Sequence, residues 1–119
     1  MLYQVNIGLD YSDAFNSDYL PTSINDKVNY LIALFNSHGA TVENRQLADS
    51  ETEPTLVANI YAHDKDAEQF ERMIYGISGT FAQDCIAWRD SEGNGYLTGA
   101  RAQVWGGEFD PEHWIEPKK

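Results

Sequence analysis

Two stretches with apolar residues at helical spacing, set among segments that alternate with a period of two, commit this chain to helices packed on a sheet. In the first stretch Ile24, Val28, Leu31, Ile32 and Phe35 share a helix face, Ser23 stands before them with Asp26 three residues on, and Gly39 follows. A capped start and a glycine stop predict a helix over about residues 24–38. The second stretch starts at Asp64 or Asp66, the latter with Gln69 in the box position, and sets Ala67, Phe70, Ile74 and Ile77 on one face. Gly76 and Gly79 are expected to end or bend it.

The period-two segments supply the sheet. Residues 2–9 put Tyr3, Val5, Ile7 and Leu9 on one side, and residues 55–62 do the same with Leu56, Ala58, Ile60 and Ala62. A more polar strand over 41–48 should pair with 55–62 as a hairpin. Two further strands, 81–89 and 96–105, should flank the Gly-rich turn Asp90 to Gly95. The loop after residue 9 is irregular as far as Pro21, and the tail from Gly106 carries Phe109, Trp114 and Ile115, which suit packing back on the domain. The order strand, helix, strand, strand, helix, strand, strand predicts one α+β domain over residues 1–119. Its expected form is a ferredoxin-like (split βαβ) antiparallel sheet with two helices on one face and an added C-terminal strand. The second face is expected to stay solvated or to meet a partner.

Charge narrows the roles open to such a domain. Of 119 residues, 19 are acidic and 8 are Lys or Arg, a net charge of -11. Phosphate backbones and anionic lipid surfaces repel such a protein, so direct nucleic-acid or membrane binding is not expected. No apolar run approaches the roughly 20 residues of a membrane helix, and the N-terminus lacks a basic leader. A single cysteine, Cys85, excludes an intramolecular disulfide, so the cytoplasm is the expected compartment.

No motif for chemistry stands out, and no cofactor or metal is expected. Asp90, Ser91, Glu92, Gly93, Asn94 and Gly95 imitate the start of a calcium loop, but Arg101 occupies the twelfth position, where a bidentate acid is needed. A hairpin turn accounts for the same residues. His63, Asp64 and Asp66 form a small polar cluster in which one of the acids is needed as a helix cap. Cys85 could act as a nucleophile if the fold brought His63 to it, but no cation lies near in sequence to lower its pKa. No glycine cluster follows a strand and opens a helix with a cation in place, so a phosphate loop is not indicated.

The remaining feature is a surface. Asp10, Asp13 and Asp18 alternate with Tyr11, Phe15 and Tyr19, and a second acidic group includes Glu51 and Glu53. Acids that steer and rings that bury area suit docking on a basic protein. The chain is similar in size and charge to the small acidic inhibitors of restriction, CRISPR or repair enzymes often carried by phages. The expectation is therefore a non-enzymatic inhibitor, anti-restriction or anti-CRISPR-like in role, that docks on the basic surface of a nucleic-acid-handling protein. Asp10, Tyr11, Asp13, Phe15, Asp18, Tyr19, Glu51 and Glu53 are its expected contacts. The alternatives are a toxin-immunity-type inhibitor, a small enzyme or ligand-binding domain using His63 and Cys85, and a structural module that forms a homodimer through a polar sheet edge or the Trp105 to Trp114 segment.

Overall fold

The structure, a computed structural model, describes residues 1–49, 53–102 and 107–118. Five strands form one antiparallel sheet: β1 (Leu2–Gly8), β2 (Thr41–Asp49), β3 (Pro54–Tyr61), β4 (Ile86–Arg89) and β5 (Gly95–Thr98). They lie in the order β2-β3-β1-β4-β5, with every neighbouring pair antiparallel. Helix α1 (Ile24–Ser37) follows β1 and α2 (Ala67–Thr80) follows β3. Among the described residues no helix is long and apolar enough to cross a membrane.

The helix starts follow from their caps. The Ser23 hydroxyl accepts from the Asp26 amide at 3.1 Å. Asp66 and Gln69 form a reciprocal box, each side chain bonded to the other's backbone N–H at 2.9 and 3.0 Å.

Both helices pack on the same side of the sheet. Tyr3, Val5 and Ile7 of β1, Leu56, Ala58 and Ile60 of β3, and Ile86 and Trp88 of β4 share one buried cluster with Leu31 and Phe35 of α1 and Phe70 and Ile74 of α2. Aromatic contacts fix its centre. Tyr3 stacks on Phe70 with centroids 3.9 Å apart, and Trp88 stacks on Tyr96 at 4.2 Å while donating its indole N–H to the Thr98 hydroxyl at 3.0 Å.

Three expectations change here. Helix α2 passes Gly76 and ends at Thr80, one residue after Gly79, because Ile77 and Ser78 are buried and tertiary packing outweighs the weak propensity of the exposed Gly76. The strand expected over 81–89 begins only at Ile86, since Phe81 caps α2 and Ala82 turns the chain with φ of 58°. The strand expected over 96–105 ends at Thr98, residues 99–102 form turns, and 103–105 lie outside the described residues.

A fourth difference decides where a site can be. The sheet face away from the helices is covered in part by the C-terminal tail. Asn6 donates to the Ile115 carbonyl at 3.0 Å and accepts from its amide at 2.8 Å, while Asn59 donates to the Lys118 carbonyl at 3.1 Å. Val57, facing the same way as Asn59, is fully buried. At Gly95 an added Cβ would fall 2.3 Å from the Phe109 ring, so the bare backbone there is what lets the tail lie close.

Candidate functional site

Between that sheet face and the tail lies a cavity of about 780 Å³. Its floor is Asn6 and Gly8 of β1, Thr55 of β3, Ala87 of β4 and Leu97 of β5. The end wall holds Asp49, Glu53, Gln83, Asp84 and Cys85, and the tail contributes Glu108, Asp110, Glu112, His113, Trp114 and Ile115. Six carboxylates thus line it, with no Lys or Arg among the described lining residues. Such a concavity favours a positively charged occupant.

Glu53 is the best-placed acid. Its Oε1 accepts from the Asp10 amide at 3.2 Å and lies 3.4 Å from Gln83 Nε2. Gln83 also donates to the Asp10 carbonyl, so one amide side chain ties the β1 exit to the α2–β4 connection. Burial pushes the Glu53 carboxyl above its ordinary value, with the charge of Asp10 adding to it, against hydrogen bonds from Asp10 and Gln83 and attraction to Lys27. Gly8 makes this position available: an added Cβ would stand 1.8 Å from Glu53 Oε1.

Asp84 accepts from the Ser12 hydroxyl at 2.7 Å and pairs with Arg101, whose Nε is 3.0 Å from Oδ1. Glu53, Gln83 and Asp84 also line a second cavity of about 360 Å³, walled by Asp10, Tyr11, Ser12, Asp13, Ala14 and Arg101. Lys27, buried on α1, donates to the Leu9 carbonyl at 2.8 Å and sits over the Tyr11 ring, supporting this corner from behind.

The structure separates the residues expected to act together. Cys85 lies at the Glu53 end of the sheet, whereas His63 follows β3 beyond Tyr61, which pairs with Leu2 at the opposite end. Burial, then Asp84 and Glu53, push the Cys85 thiol up to about 11, which leaves it protonated at neutral pH. Among the described residues no three His, Cys, Asp or Glu side chains converge to hold a metal ion. Asp90 accepts from the Glu92 and Asn94 amides, the Asn94 side chain and the Tyr96 hydroxyl, so the turn's own donors occupy the would-be calcium ligand. Although its burial opposes ionisation, these bonds hold its carboxyl below the ordinary value.

Of the expected contact residues, Asp10, Tyr11, Asp13 and Glu53 come together on the second cavity, whereas Phe15, Asp18 and Tyr19 do not line it. Tyr11 covers the core edge-on to Phe81 and donates its hydroxyl to the Pro21 carbonyl at 2.5 Å. Asp10, Asp13 and Asp18 are exposed, Phe15 is half-buried, and Tyr19 is 92% exposed. Glu53 faces the cavity and Glu51 lies outside the described residues. Gln83, Asp84 and Trp114 were missed by sequence reasoning. The alternation of acids with Phe109 and Trp114 in the tail repeats the pattern that drew attention to residues 10–19, and was the available signal.

No protein-family model and no curated protein matches the chain. Among solved structures it is similar to a phage SAM lyase in complex with S-methyl-5'-thioadenosine. The match has 16% identity and a TM-score of 0.48 and covers 83% of this chain and 88% of that one. That protein is an enzyme. The expectation of a non-enzymatic acidic inhibitor is corrected toward the alternative of a small enzyme or ligand-binding domain, since an acid-lined cavity stands under the tail and the phage protein is an enzyme. Within that alternative, His63 and Cys85 give way to the residues around Glu53.

Proposed function

We propose that this protein is a small enzyme or ligand-binding domain that takes an organic cation into the cavity under its C-terminal tail. The observation that carries the reading is Glu53, a half-buried carboxyl with a raised pKa on the wall of a cavity lined by five more acids. A carboxylate poised in this way suits proton transfer. With a sulfonium bound beside it, the Glu53 carboxylate would accept a proton from a carbon next to the one bonded to sulfur, the C–H electron pair would form a carbon–carbon double bond, and the sulfide would leave neutral with the C–S pair. Gln83 orients the carboxylate, and the acids of the tail supply attraction. Trp114 adds an aromatic wall for a cation. Its indole Nε1 is buried without a hydrogen-bond partner, a donor that a polar ligand atom could satisfy.

We read the strand order β2-β3-β1-β4-β5, with helices after β1 and β3, as the split βαβ arrangement of ferredoxin-like folds with β5 added beyond β4. The fold positions the site but does not choose the chemistry.

SAM is the first probe, because as a sulfonium it has the charge the cavity calls for, and the phage protein of similar structure is a SAM lyase. Incubation of the protein with SAM, followed by chromatography for S-methyl-5'-thioadenosine, tests turnover. Native protein should consume SAM, and Glu53→Gln should lower the rate by about 100-fold or more while keeping its circular dichroism spectrum. Turnover in Glu53→Gln equal to native would overturn the assignment of Glu53.

A further inference from the structure

The tail that roofs the cavity forms no strand, and among the described residues no backbone hydrogen bond joins it to the sheet. Side chains hold it: Asn6 and Asn59 bond its backbone, and Arg89 of β4 engages its side chains. Its Nη1 lies 2.6 Å from Glu116 Oε1, and its guanidinium carbon lies 5.4 Å from the Trp114 ring and 5.6 Å from the Phe109 ring. Those two rings pack on each other at 5.3 Å. One planar cation therefore joins three tail residues, a combination of charge and flat face that Lys does not offer.

Electrostatics works against this closure. Glu108, Asp110 and Glu112 of the tail line the same cavity as Asp49, Glu53 and Asp84, and like charges across a shared space repel. His113, which contacts Asp110, helps hold the Asp110 carboxyl below its ordinary value.

We infer that Arg89 is a positioning residue that latches residues 107–118 over the cavity as a strap. A cation between the two acidic walls offsets their repulsion, so ligand and latch close the strap in the same direction. That consequence for the ligand rests on the function proposed above, whereas the latch itself does not.

Hydrogen exchange followed by mass spectrometry on the full chain, without ligand, tests the latch. Loss of the ion pair and both ring contacts in Arg89→Gln should speed exchange across residues 109–116 by about tenfold, leaving β1 and β3 unchanged. Arg89→Lys, which keeps the charge but not the flat face, should fall between the two. Unchanged exchange in the strap of Arg89→Gln would overturn the inference. So would an equal rise in β1 and β3, which would mark Arg89 as a general contributor to stability. Calorimetry with SAM separates the two ideas, since native protein that fails to bind SAM contradicts the cavity's proposed ligand and leaves the exchange pattern to decide the latch.

Discussion

Glu53 and Gly8 form a pair in which one residue's lack of a side chain sets the other's chemistry. Gly8→Ala would place a Cβ where the Glu53 carboxylate now sits, and the flexible carboxylate is the partner that moves. Stability should stay within about 1 kcal/mol of native, since alanine suits a strand at least as well as glycine. The Glu53 pKa should fall toward its ordinary value, as read by carboxyl carbon NMR across pH, and an unshifted Glu53 titration would contradict the geometry.

The raised pKa also has a stability consequence of defined sign. The native protein holds the Glu53 proton more tightly than the unfolded chain does. Its contribution is full below the ordinary carboxylate value and is lost as pH rises through the native pKa. Glu53→Gln removes that loss, so urea unfolding should show the variant gaining on native as pH rises from the ordinary carboxylate value through the native pKa. Cys85, by contrast, should behave as an inert thiol. With a pKa of about 11 only about one molecule in ten thousand carries the thiolate at pH 7, and iodoacetamide should label it far more slowly than free cysteine. Sequence pattern pointed to Cys85 and His63 because their chemistry is recognisable locally. It could not place Gln83 beside Asp10, 73 positions away in the chain, or show that Gly8 opens a space for Glu53.

At the scale of elements, capping and periodicity carried most of the information. Ser23, Asp66 and Gln69 act at the helix starts where their spacing placed them, and the odd residues of β1 face the core as their alternation required. Helix α2 departs from local rules at Gly76 and Gly79, which sit exposed with nothing within 4 Å of an added Cβ. Each Gly→Ala change there should stabilise the protein by about 0.5–1 kcal/mol, and together they should raise the urea midpoint without changing the slope. A loss of stability would mean that α2 is strained at those positions. Strands β4 and β5 are shorter than alternation suggested because the turns on either side are fixed by tertiary partners. Ala82 accepts from the Ser12 amide and Arg101 donates its amide to the Asp84 carbonyl, contacts that no local window contains.

For the whole molecule, a net charge of -11 sits on a body with a radius of gyration of 13.0 Å. At about 0.01 M salt the screening length of about 30 Å exceeds that radius, whereas at 0.1 M it is about 10 Å. Added sodium chloride should therefore raise the melting temperature, by about 4 °C or more for each kcal/mol of repulsion relieved. A melting temperature independent of salt would show that the carboxylates are already compensated. The charge was legible from composition, but its focus was not. Acids from β2, the β3 entry, the α2–β4 connection and the tail meet in one cavity only after the sheet has formed and the tail has crossed it.

The most direct measurement is titration calorimetry comparing SAM with S-adenosylhomocysteine, its neutral sulfide counterpart, at low salt. An acid-lined site for an organic cation predicts that SAM binds at least about tenfold more tightly, that this preference shrinks as salt is added, and that Glu53→Gln reduces it. Equal affinity for the two, or binding of neither, would contradict the claim that the cavity selects a cation.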